Sequence, residues 1–117
     1  MKRNMDLARA ILVALEESPS VSNPVEFSIP DFSDDEVTYH VKLLHQAGLI
    51  EALDISGVNQ AKWLPISLTW EGHEFLDAAR DSTRWSQAKK IVLEKTGGLS
   101  FDMLQSILIK LMTDALS

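Results

Sequence analysis

The sequence predicts a mainly α fold with a small antiparallel sheet, of the α+β class, on three observations. Ser33 to Glu51 reads as one capped helix, stopped by a glycine and followed at once by an apolar strand. A second strand, Lys62 to Leu68, returns after a polar loop. Helical periodicity then fills the chain from Trp70 onward. This succession is the order of a winged helix-turn-helix, expected over residues 1–81, with a C-terminal helical extension over 82–117.

A first helix starts at Asn4 or Asp6 and runs to about Glu17, with Ala8, Ile11, Leu12 and Leu15 at helical spacing on its buried side. Pro19 ends it, and Ser18 to Pro24 is a turn-rich linker. Val25, Phe27 and Ile29 alternate with Glu26 and Ser28, which predicts a short strand that pairs with the later hairpin and is closed by Pro30. Only Asp31 and Phe32 then precede the capped helix, so the short helix that normally comes before a recognition helix has little room.

The capped helix is the best-signalled element. Ser33 and Glu36 have the spacing of a capping box, and Asp34 and Asp35 place negative charge where the helix dipole favours it. At 100° per residue Val37, Val41 and Leu44 share a core stripe with His40 at its edge, while Asp35, Tyr39, Lys42 and Gln46 point the other way. Gly48 supplies the left-handed stop. Strands from Leu49 to Ile55 and Lys62 to Leu68 make the wing around the loop Ser56 to Ala61, with Leu64, Ile66 and Leu68 toward one face. Pro65 confines its strand to an edge or a bulge.

Thr69 caps a helix from Trp70 to about Asp81, with Gly72, Phe75, Leu76 and Ala79 inward and Glu71, Glu74 and Asp77 outward. A basic helix over 84–96 carries Arg84, Lys89, Lys90 and Lys95 and stops at Gly97-Gly98. Ser100 caps a last, apolar helix over 100–117. Its apolar residues span about 200° of the circumference, about twice what one contact surface takes up. That excess predicts a homodimer through Phe101, Leu104, Ile107, Leu108, Leu111, Met112 and Leu116, the competing arrangement being that the helix folds back on the core.

Three stretches carry a resemblance. MKRNMDLARAIL, VTYHVKLLHQAGLIEA and LTWEGHEFLDAARDSTRW resemble the bacterial domain-of-unknown-function family numbered 2513, over roughly residues 1 to 90. Tyr39 to Glu51 and Leu68 to Arg80 are also similar to the recognition helix and post-wing segments of winged-helix repressors of the multiple-antibiotic-resistance and arsenic-responsive kinds, which bind DNA as dimers. The resemblance implies the fold and a prophage or mobile-element setting, and it carries no catalytic residue.

Chemistry motifs are sparse. The chain has no cysteine, so disulfides, thiolate nucleophiles and cysteine zinc sites are excluded. His73, Glu74 and Asp77 form H-E-x-x-D, without the second histidine that a shared metal requires, and no third ligand is evident. Phosphate-cradling glycine loops and the serine elbow are missing, so no enzyme activity and no cofactor are expected. Trp63, Trp70 and Trp85 are expected to cover the core. No apolar run reaches membrane-spanning length, which predicts a cytoplasmic protein without membrane association.

Two functions follow. The first is a DNA-binding regulator, with Thr38, Tyr39, Lys42, His45 and Gln46 on the recognition helix, Asn59, Gln60 and Lys62 on the wing, and Arg80, Arg84, Lys89 and Lys90 on the basic run. The second is a protein-interaction module, an inhibitor or assembly subunit of a mobile element. Charge motivates the second: the net charge is −6, and Val25 to Asp81 holds eleven acids against three bases, opposing contact with phosphates. The same residues serve either partner. Fold analogy puts DNA slightly ahead.

Overall fold

The computed structural model describes residues 1–116; the last position of the expected apolar helix, Ser117, lies outside the described residues. The elements are α1 (Met5–Glu17), α2 (Asp34–Gln46), β1 (Ile50–Asp54), β2 (Trp63–Leu68), α3 (Trp70–Ala79), α4 (Ser82–Thr96) and α5 (Phe101–Ala115). They are mainly helical, with one two-stranded antiparallel sheet. The chain packs as two compact units, Met1–His73 and a second one from Glu74 onward.

In the first unit, α1 lies against α2 and β2, and α2 lies against both strands. Asn4 is the cap that starts α1, its side chain accepting from the Asp6 and Leu7 amides. Leu7, Ile11, Leu12 and Leu15 of α1 share the core with Val41, Leu44, Leu49 and Ile50, while Val37 is only half-buried. His40 is 1% exposed and fully engaged: Nε2 accepts from the Asn4 amide at 2.8 Å, so Nδ1 carries the proton and donates to the Glu36 carbonyl at 2.8 Å. One imidazole therefore joins the cap of α1 to the body of α2.

Helix α2 is delimited as its sequence requires. Ser33 and Glu36 exchange both bonds of the capping box. At the other end Gly48 has φ of 79°, the Gly48 amide donates to His45 O and the Leu49 amide to Leu44 O, the paired bonds of a Schellman motif. Leu44 and Leu49, both buried, supply its hydrophobic contact.

The segment Val25 to Ile29 is not a strand. Its half-buried and exposed residues do alternate, but the chain there is irregular, held to the hairpin by the Val25 amide donating to Pro65 O at 2.8 Å. The reason lies in β2. The ladder slips between Glu51 and Ala52, opposite the Pro65 region, and Ile66 is left without an opposite residue. The slip also turns Pro65, rather than Leu64, Ile66 or Leu68, into the buried residue of β2. Phe32 donates to Ile29 O across Pro30-Asp31, and Asp31 sits at φ 73°, a tight turn in place of a second helix.

Thr69 knots the hairpin's base. Its amide donates to Leu49 O, its hydroxyl donates to Gly48 O at 2.7 Å, and the same oxygen accepts from the Gly72 amide at 3.0 Å. Gly72 packs under the Leu49 carbonyl so closely that a Cβ there would stand 2.0 Å from its oxygen.

In the second unit α4 packs on α5. Phe75 meets Trp85 edge-on at 6.3 Å and Phe101 at 4.9 Å, over a core of Leu76, Ala88, Val92, Leu104 and Leu108. Asp81 caps α4 rather than ending α3, which stops at Ala79. Gly97, at φ 74°, ends α4.

Candidate binding groove

The polar side of α2 and the hairpin enclose an open groove of about 720 Å³ in the first unit. Thr38 is its floor. The Thr38 hydroxyl accepts from the Trp63 amide at 2.7 Å and donates to the Trp63 carbonyl at 3.3 Å, stitching α2 to the first residue of β2. Both bonds are internal and Thr38 is buried, so it is a structural residue and not the presented contact that its helix position suggests. Thr38 lies next to Tyr39, one step from the presented stripe. The hairpin lies over that step.

Tyr39 and Lys42 form the helix wall, and Asn59, Gln60 and Ala61 the hairpin wall, with Trp63, half-buried, between them. The tip is a tight turn, Gly57 and Gln60 bonded across Val58 and Asn59, and Val58 is 100% exposed. Met1, Asp35, Asp54 and Ser56, which are not among the expected contact residues, complete the lining. Asp35 was legible as a presented position of α2. Asp54 and Ser56 come into the groove through the geometry of the hairpin turn, where the Ser56 amide donates to the Asp54 carboxylate at 2.9 Å and the Lys62 amide to the Ser56 hydroxyl at 2.9 Å. The hydrogen bonds from Ser56, and more weakly the Lys42 ammonium, hold the Asp54 carboxyl below its ordinary range.

The other expected contacts fall elsewhere. His45 is half-buried, its Nδ1 3.4 Å from Ile50 O and its ring 5.4 Å from that of Trp63. Gln46 is exposed and does not line the groove. Lys62 borders a smaller neighbouring cleft and pairs with Glu26 at 3.8 Å. Arg80, Arg84, Lys89 and Lys90 belong to the second unit. There Arg80 pairs with Asp77 at 2.8 Å, Arg84 donates to the Ala78 and Asp77 carbonyls at the end of α3, and the Lys89 ammonium lies 5.7 Å from the Trp85 ring centre. Trp70 departs from its expected core role, being 76% exposed.

The apolar residues of α5 divide. Leu104 and Leu108 are buried within the second unit, so they are not available to a dimer surface, while Phe101, Ile107, Leu111 and Met112 are half-buried and Leu116 is exposed. Met103 and Ile109 are exposed as well. Among the described residues no three His, Asp or Glu side chains gather as a metal site, and no helix is long and apolar enough to cross a membrane.

A family model described as "Hypothetical protein (DUF2513)" matches residues 2–98. The chain belongs to this family. A Haemophilus influenzae protein named "Uncharacterized protein" is 40% identical over 111 residues, 92% of each chain. No solved structure matches. The family match takes in both walls of the groove.

Proposed function

We propose that this member of the family is a non-catalytic, winged-helix-type regulatory module, of bacterial or prophage origin, that holds a protein partner in the groove between α2 and the hairpin. The observation that carries this reading is where the positive charge goes. Lys42 shares the lining of the groove with the carboxylates of Asp54 and Asp35. Lys62 is matched by Glu26, and Arg80 by Asp77. DNA affinity needs several cations free to displace counterions from phosphates. A groove of mixed charge with aromatic and amide walls suits a polypeptide better.

Duplex DNA is the second reading. The succession of α1, an extended segment, α2 and the hairpin favours it, since Tyr39, Lys42, Asn59 and Gln60 line one groove as a recognition helix and wing would. A gel-shift titration of the full chain on a random duplex pool at low salt separates the readings. The protein reading expects no retained band; retention with log affinity falling steeply against log salt would transfer the assignment to DNA. We also propose that two copies associate through the outward side of α5, around Ile109, Met103 and Leu116, which are exposed.

A further inference from the structure

The lining of the α2–hairpin groove narrows the kind of polypeptide that fits it. The half-buried rings of Tyr39 and Trp63 share the groove with the carboxylates of Asp35 and Asp54. Trp63 is a fixed platform, because both its backbone polar groups are bonded to the buried Thr38 hydroxyl. Among the described residues Lys42 is the one lysine on that lining, against the two carboxylates. No ion pair reaches Asp35 among the described residues, and it stands in the first turn of α2 facing the groove. The surroundings have the same sign: residues 25–73 carry eight carboxylates against two lysines, one of them paired with Glu26. A potential of that sign steers cations inward and repels phosphates. Aromatic faces beside carboxylates take up the two parts of a long basic side chain, its apolar stem and its charged head.

We infer that the groove's occupant is a partner segment presenting an arginine or lysine, whose stem lies on Tyr39 and Trp63 and whose cation is received by Asp35 and Asp54. This rests on the reading of the groove as a protein-binding surface. The test uses the full chain and a flexible nine-residue Gly/Ser peptide carrying three spaced arginines, with a glutamine-for-arginine peptide of equal length. Amide chemical-shift mapping locates each peptide and gives its affinity. The expected result is saturable binding of the arginine peptide that moves the Tyr39, Asp35 and Trp63 signals. Asp35→Asn and Asp54→Asn should each weaken it by about tenfold. Glu71→Gln removes the same charge at an exposed position outside the groove and should leave affinity within about twofold, the range of distant, screened charges.

Equal losses in all three variants would overturn the site and leave only general attraction to an acidic protein. Equal binding of the glutamine peptide would overturn the cationic occupant while leaving the groove as a protein-binding surface. Absence of saturable binding by the arginine peptide overturns the inference, and retention of duplex DNA in the gel-shift titration overturns the reading beneath it. Thermal melting of each variant verifies its fold.

Discussion

Thr38 shows how one side chain can carry a contact that replaces part of a sheet edge. Its hydroxyl satisfies the amide and the carbonyl of Trp63, twenty-five residues away, at a site closed to solvent. Thr38→Val keeps the volume and orphans both groups, so it should cost about 1–3 kcal/mol in chemical denaturation, with Thr38→Ser retaining most of the stability. At the hairpin, Asp54 makes a different prediction. Its carboxyl is held low chiefly by the side-chain and backbone hydrogen bonds of Ser56, so the folded form favours the charged state. The sign follows: its contribution is present above the ordinary value of 3.8 and is lost as pH falls through the depressed folded value. Ser56→Ala should move the Asp54 titration upward, as read from its carboxyl carbon shift.

Among the elements, α2 was nearly complete in the sequence, because capping boxes, glycine stops and 100° stripes are local rules that act within one helix. The same rules placed His40 at the edge of the core. They did not give its bond to Asn4, thirty-six residues away. Nor could periodicity show that Thr38, His45 and Lys62 have partners already: those of Thr38 and His45 arrive only when the hairpin closes over α2, and Glu26 reaches Lys62 from the irregular segment before α2. Val25 to Ile29 misled for the opposite reason: it has a strand's alternation but faces a proline-bearing, slipped ladder that offers little to pair with. Trp70 is an aromatic at the first position of α3, and its composition alone carried no sign of exposure. The packing of α3 gives a sharper test. Gly72→Ala drives a methyl into the Leu49 carbonyl, backbone against backbone, and should cost about 3 kcal/mol, seen as a lowered melting temperature.

For the whole molecule, the exposed apolar residues of α5 bear on association between copies. Leu104 and Leu108 are buried within the second unit, while Met103, Ile109 and Leu116 remain exposed. Light scattering should give about twice 13.1 kDa at micromolar concentration, and Ile109→Glu, a change at an exposed position, should return the monomer mass. A particle of 13.1 kDa for the unmodified chain would remove the dimer.

The knot at Thr69 makes the hairpin a lever with a pinned end. Bonds from Thr69 to Gly48 and Leu49 close a long loop at its base, while the tip at Val58 touches nothing that would restrain it. Toward the tip the cross-hairpin bonds thin out to Ile55 N–H on Lys62 O, Lys62 N–H on the Ser56 hydroxyl and Gly57 N–H on Gln60 O, with no tie to α2 beyond Trp63 among the hydrogen bonds of the described residues. Hydrogen exchange should record the gradient directly: slow amides at Leu49, Thr69 and Gly72, and fast exchange at Gly57 and Gln60. Exchange of that pattern would make the hairpin the wall that yields to an entering segment and α2 the wall that holds its place.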